Sequence, residues 1–127
     1  MANRYGEAAI LAARHGAGMG PVASWENAME KLYPTSPSAR NKGGPRAAFL
    51  GLCEEGMVKD IPAGHYSTAK ENKACAVLAA QLLMKGEQRY SLSSLWAAVK
   101  LDPKREHNAQ MDVVLALWKN GLIQPRG

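Results

Sequence analysis

Aromatic side chains are scarce in this chain: one Phe, four Tyr and three Trp make up 6% of 127 residues. Strands draw on β-branched and aromatic residues, whereas Ala and Leu dominate here, which favours helix. No stretch alternates apolar and polar residues over four or more positions, so the half-buried strand pattern is missing too. Cysteine is as sparse. Cys53 and Cys75 are the only two. Both lie in apolar stretches with helical spacing, which makes them small core residues rather than a disulfide framework. Long apolar runs are also absent. The most apolar stretch, Ala74 to Met84, is far short of the ~20 residues that cross a bilayer. Glu7 and Arg14 interrupt the N-terminal segment where a secretory leader would be apolar. The expected location is the cytoplasm, with no membrane partner.

Chemical signatures are missing in the same way. His15, His65 and His107 stand far apart, and none belongs to the short, fixed spacings of a zinc site. Glu54-Glu55 is the only tight carboxylate pair. Neighbours on a helix project about 100° apart, so the pair reads as a solvated helix end rather than an acid–base dyad. Ser36, Ser38, Ser91, Ser93 and Ser94 sit in loop or cap settings without a Gly-x-Ser-x-Gly elbow. Gly16-Ala17-Gly18-Met19-Gly20 follows a helix rather than a strand and has no Gly-Lys-Ser/Thr behind it, so it reads as a linker. No catalytic residue, metal or cofactor is expected, and the chain is read as non-enzymatic.

What is present is repetition. Ile10-Leu11-Ala12-Ala13 returns as Val77-Leu78-Ala79-Ala80, and Trp25 returns as Trp96. Phe49-Leu50-Gly51-Leu52, with Gly56-Met57-Val58 behind it, returns as Val114-Leu115-Ala116-Leu117 with Gly121-Leu122-Ile123. The offsets are 67, 71 and 65 residues in unchanged order. Repeats of this kind mean repeated supersecondary structure whose apolar faces bury one another. The expected architecture is all-α: a single domain over residues 1–127 with about six helices, in two three-helix units at roughly 4–60 and 70–124.

The helix boundaries follow from punctuation. The first helix is expected over Asn3–His15, with Ala8, Leu11, Ala12 and Ile10 on its buried face and the glycines after His15 ending it. The second begins at Pro21, which suits a first helical position, and reaches Leu32. A polar loop over 34–44 holds one helical turn after Ser36. The third helix covers Pro45–Glu55, with Gly56 as a left-handed cap and Met57-Val58 folded back. The second set covers Thr68–Lys85, Leu92–Lys100 behind a capping Ser91, and Asn108 through Trp118, closed by Gly121. Leu11, Trp25, Phe49, Leu52, Leu78, Trp96, Leu115 and Trp118 are the expected core. The matched Trp25 and Trp96 belong there rather than on a base-stacking platform.

The composition is 46% hydrophobic and 21% charged, with a net charge of +5. Residues 1–64 carry 7 Lys/Arg against 6 Asp/Glu, and residues 65–127 carry 9 against 5. An excess of this size attracts polyanions or simply keeps a protein soluble. Two places concentrate it at helix entrances, where free backbone N–H groups favour anions. One is Arg40, Lys42 and Arg46; the other is Lys104 and Arg105. These five are the candidate anion-binding residues, with Glu54, Glu55 and Glu106 opposing them. Pro45 to Val58, followed by Lys59 to Tyr66, also resembles the last helix and turn of a winged helix-turn-helix domain, in which that helix enters the major groove.

The segments Gly43-Gly-Pro-Arg-Ala-Ala-Phe-Leu-Gly-Leu-Cys-Glu-Glu-Gly56 and His107-Asn-Ala-Gln-Met-Asp-Val-Val-Leu-Ala-Leu-Trp-Lys-Asn-Gly-Leu-Ile123 resemble a family of small bacterial proteins of unknown function. The opening Tyr5-Gly6-Glu7-Ala8-Ala9 is similar as well. Members often carry Cys where this chain has Gly44. The resemblance covers nearly the whole chain and implies a bacterial or phage origin, but no activity and no site residues. The reading is therefore a helical, non-enzymatic binding module for a protein partner or for self-association. Nucleic-acid binding through the basic helix entrances is the alternative, and an enzyme acting on a small anion is the third reading.

Overall fold

The computed structural model describes residues 4–66, 69–100, 107 and 109–126, with Ala17 described by its backbone alone. Every regular element among the described residues is a helix. In order they form α1 (Tyr5–Met19), α2 (Pro21–Leu32), the single turn α3 (Pro37–Arg40), α4 (Gly43–Glu54), α5 (Lys70–Lys85), α6 (Leu92–Val99) and α7 (Gln110–Lys119). Pro21 occupies the first position of α2, as its fixed φ favours. Ser91 caps α6 reciprocally: its Oγ accepts the Ser94 N–H at 3.1 Å, and Ser94 Oγ accepts the Ser91 N–H at 2.9 Å.

Several boundaries differ by one or two residues from the sequence expectation, and that of α1 by more. α1 does not stop at His15 but runs on through Gly16 and Gly18 to Met19, and only Gly20, at φ 84°, turns the chain. An interior helical glycine costs about 1 kcal/mol. Long packing of α1 against α2 offsets that cost. α4 likewise begins at Gly43, ahead of Pro45.

The core lies where α1, α2, α4, α5 and α7 pack together. α1 packs on α2 and α7, while α4 packs on α5 and α7. α1 thus rests on α7 from the other end of the sequence, and α4 on the helix that follows it. These contacts are close because small residues line them. A Cβ on Gly6 in α1 would lie 2.9 Å from Ala116 Cβ in α7, and a Cβ on Gly51 in α4 would lie 2.9 Å from Lys73 Cα in α5. Lys73 and Ala116 stand 67 and 65 residues after Gly6 and Gly51, the offsets that relate the two halves of the sequence. The buried face of α1 is accordingly Tyr5, Ala8, Ala9, Ala12 and Ala13, while Ile10 and Leu11 are half-buried. Ala8 and Ala12 lie inside as their spacing implies; Leu11 and Ile10 do so only in part, because the close helix spacing admits the smaller residues.

Both halves end alike. Gly56 and Gly121 each sit at φ 70°, a conformation open to glycine at little cost. The Met57 N–H then reaches back to the Leu52 carbonyl at 3.0 Å, and the Leu122 N–H to the Leu117 carbonyl at 2.9 Å. The two fold-backs meet as an antiparallel bridge between Val58 and Ile123. The Lys59 N–H donates to the Leu122 carbonyl and the Gln124 N–H to the Met57 carbonyl, each at 2.9 Å.

Trp25, Phe49, Leu52, Trp96 and Leu115 are buried. Trp25 stacks on Phe49 with ring centroids 5.3 Å apart. Leu78 and Trp118 are not core residues: they are 41% and 37% exposed. α5 turns Cys75, Ala76, Ala79, Ala80 and Leu83 inward, which leaves Leu78 outside that stripe. Trp118 falls in the last turn of α7, beyond the buried Val114 and Leu117.

Phe49→Ala is expected to cost about 3–5 kcal/mol, measured by urea unfolding. Gly51→Ala is expected to lower stability although alanine is the better helix former by about 1 kcal/mol, because Lys73 Cα stands in the way. Gly18→Ala, with nothing within 4 Å, is expected to raise stability by roughly 0.5–1 kcal/mol. Equal shifts of the same sign at both glycines would contradict the close approach of α4 to α5.

Candidate functional site

A cleft of about 400 Å3 opens where α2, α3 and the start of α4 converge, lined by Trp25, Glu26, Met29, Glu30, Arg40, Asn41 and Arg46. Helical spacing arranges one wall. Trp25 and Met29, one turn apart on α2, are buried, and Glu26 and Glu30 beside them are exposed. The opposite wall holds Arg40 at the end of α3, Asn41 just after it, and Arg46 in the first turn of α4.

The N-terminal region holds this wall in place. Tyr5 Oη donates to the Ala39 carbonyl at 3.1 Å, and its ring lies 5.2 Å from that of Tyr33. The Arg4 N–H donates to Tyr33 Oη at 2.9 Å. Arg40 Nη1 donates to the Tyr33 and Pro34 carbonyls at 2.7 and 3.1 Å. One nitrogen of the guanidinium is thus anchored, and the rest of a five-donor fork remains for a ligand. Arg46 is half-buried and has no hydrogen bond or ion pair from its side chain among the described residues.

Trp25 is the unusual member. It is 1% exposed, yet its indole Nε1 has no hydrogen-bond partner. A buried donor without an acceptor is costly, of the order of 1–3 kcal/mol, and rare. The sequence placed Trp25 in the core, correctly, but carried no signal that its polar edge would be left unsatisfied.

The structure brings together two of the five expected anion-binding residues, Arg40 and Arg46. Lys42 is turned elsewhere, with its Nζ 5.8 Å from the centroid of the Tyr5 ring. Lys104 and Arg105 lie outside the described residues, as does Glu106. Nor do Glu54 and Glu55 oppose the arginines. They close the far end of α4, eight residues on from Arg46, or about 12 Å along the axis.

That far end is not the solvated pair the sequence suggested. Both carboxylates converge on one ammonium. Lys73 Nζ lies 2.6 Å from Glu54 Oε2 and 2.8 Å from Glu55 Oε2, and Arg126 Nε lies 3.0 Å from Glu55 Oε1. The Glu54 side chain is only 7% exposed and also accepts the Tyr66 N–H at 2.8 Å, which fastens the segment after Ile61. Lys73 reaches both because α4 and α5 touch at Gly51. The hydrogen bond from Lys73 holds the Glu55 carboxyl below its ordinary range, and the two carboxylates raise Lys73.

His107 lies with its ring tilted against that of Trp96, and its Nε2 accepts the Met111 N–H at 3.0 Å. That role requires a neutral ring. Desolvation lowers its pKa from the ordinary histidine value, opposed by Asp112. His15 stands inside α1 rather than at its end. No group of three or more His, Cys, Asp or Glu side chains able to hold a metal ion occurs among the described residues. No helix of the described residues is long and apolar enough to cross a membrane. α4 buries Gly44, Pro45 and every residue from Ala47 to Cys53, which leaves little of the exposed face that a groove-reading helix uses. A second groove, of about 420 Å3, runs past Leu83, Tyr90, Leu115 and Trp118, with Arg89 and Lys119 at its rim.

Fold and cleft together define an all-helical protein with a mixed-charge surface pocket. The chain belongs to the family of unknown function DUF6979, whose model matches residues 2–124. No curated protein and no solved structure matches it.

Acid unfolding tests the far end of α4. Glu55 has a depressed pKa, so its contribution to stability is present above the ordinary carboxylate pKa and is lost as pH falls through the lowered value. Lys73→Met is expected to reduce stability at neutral pH, by removing the cation between the Glu54 and Glu55 carboxylates, and to flatten the decline below about pH 4.5. Urea midpoints for both proteins between pH 3 and 7, on that same linkage, measure the effect. Parallel curves would contradict it.

Proposed function

We propose that the chain is a duplicated three-helix unit acting as a non-enzymatic binding module, and that the cleft at Trp25, Arg40 and Arg46 receives an acidic group of a partner protein. The observation that carries this reading is two guanidiniums, Arg40 and Arg46, on one wall of a cleft whose opposite wall holds Trp25, with its buried, unsatisfied N–H. A carboxylate accepts from both guanidiniums, and charge-assisted bonds of that kind are about twice as strong as neutral ones. The α4 N-terminus adds its positive dipole end on the same side. No Ser, Thr, Cys, His or Lys lines the cleft to act as nucleophile. A nucleic-acid backbone fits less well, because Glu26 and Glu30 line the cleft that its successive phosphates would have to enter.

The Trp25 indole N–H gives a direct test. In a 15N-labelled sample its resonance, assigned with Trp25→Phe, is followed during titration with a short Glu-rich peptide and with a neutral peptide of equal length. The expected result is a shift of that resonance with the acidic peptide alone, weakened about tenfold or more by Arg46→Gln, a loss of roughly 1.4 kcal/mol. No movement at millimolar peptide overturns the reading. Salt-sensitive binding of DNA or RNA that survives Arg46→Gln would move function to another surface. Sedimentation velocity on the same sample reads out self-association.

A further inference from the structure

Four charged side chains line one cleft without neutralising one another. Glu26 and Glu30 stand one turn apart on α2 and face a ligand space shared with Arg40 and Arg46. Among the described residues neither carboxylate forms an ion pair with either guanidinium or with any other cation. Like charges at this helical spacing repel. An exposed carboxylate and an exposed guanidinium within reach would ordinarily close into a surface ion pair. Here the two pairs stand on opposite walls of the cleft, and Phe49 stacks behind Trp25 in the α2 wall.

Resting on the reading of this cleft as the seat of binding, we infer that its ligand is an ampholytic peptide segment: one acidic side chain or chain end for the arginine wall, and one Lys or Arg nearby in the same segment for the glutamate wall. Charge complementarity selects this occupant over its rivals. A simple acid satisfies Arg40 and Arg46 but leaves both glutamates unmatched beside its own negative charge. A polyphosphate chain adds more negative charge against them. A basic peptide meets Glu26 and Glu30 and leaves both arginines unmatched. A segment that carries both signs meets the charges of both walls and introduces no net charge. Asn41, with both donor and acceptor, suits the peptide backbone between the two side chains.

The test compares three peptides of equal length: one pairing Glu with Lys two or three residues apart, one with Glu alone, and one with Lys alone. The Trp25 indole resonance and calorimetry supply the readouts. The paired peptide is expected to bind about tenfold more tightly than the Glu peptide. The double substitution Glu26→Gln, Glu30→Gln is expected to erase that preference while leaving the Glu peptide bound as well as before or better. Both glutamates are exposed, so the variant keeps the fold, and its unfolding midpoint checks this. If the Glu peptide binds as tightly as the paired one, and the double variant changes neither, the ampholyte inference fails while the acidic-group reading stands. If no peptide moves the Trp25 resonance, both fail. If an oligonucleotide binds more tightly than any peptide and Arg46→Gln weakens it, both give way to a nucleic-acid site.

Discussion

The closeness of α1 to α7 and of α4 to α5 is the constraint on which the rest of the molecule depends. At each crossing one side of the contact is reduced to a hydrogen: Gly6 beneath Ala116 and Asp112, and Gly51 beneath Lys73. Without a side chain in that position the helices approach until backbone nearly meets side-chain stem. Dispersion contacts then add up along both helices. The alanine face of α1 is a consequence, since larger residues would hold its neighbours away. So is the position of Lys73, which is drawn close enough to α4 for its ammonium to reach two carboxylates at once. The far end of α4 is thereby tied to α5, and its near end is left to form the cleft.

Much of the fold is legible in the sequence, for identifiable reasons. Pro21, Ser91, Gly56 and Gly121 act locally, through one φ angle or one side-chain hydrogen bond, and local signals are readable one residue at a time. Burial is less so. Leu11 and Leu78 carry strong apolar character and occupy matching places in the two halves, yet neither is fully buried, because the crossings select for size as well as hydrophobicity. α1 outruns its glycines for a related reason: the cost of Gly16 and Gly18 is local, and the packing that offsets it is contributed by α2.

The candidate site divides in the same way. Arg40 and Arg46 stand near a helix entrance in the sequence, and the structure places both on one wall. Lys42, between them, is taken by the Tyr5 ring, a contact across 37 positions that no spacing rule reveals. Glu26, Glu30 and Asn41 give no signal in the sequence, since exposed polar residues on a helix are the commonest residues there are. The polar edge of Trp25 is hidden for the opposite reason. A tryptophan at helical spacing reads as apolar bulk, and whether its N–H finds an acceptor depends on every neighbour that packs around it.

The crossing of α1 on α7 bears on how the chain folds. Gly6 meets Ala116, a contact between positions 110 residues apart, so this face of α1 stays uncovered until α7 joins it. α4 must likewise wait for α5 before Gly51 is covered. α5 also packs on α7, so the C-terminal helices hold together among themselves, whereas α1 takes α7 rather than α4 as its second partner. Contacts between such distant positions form slowly, because the chain between them must be ordered before they are rewarded.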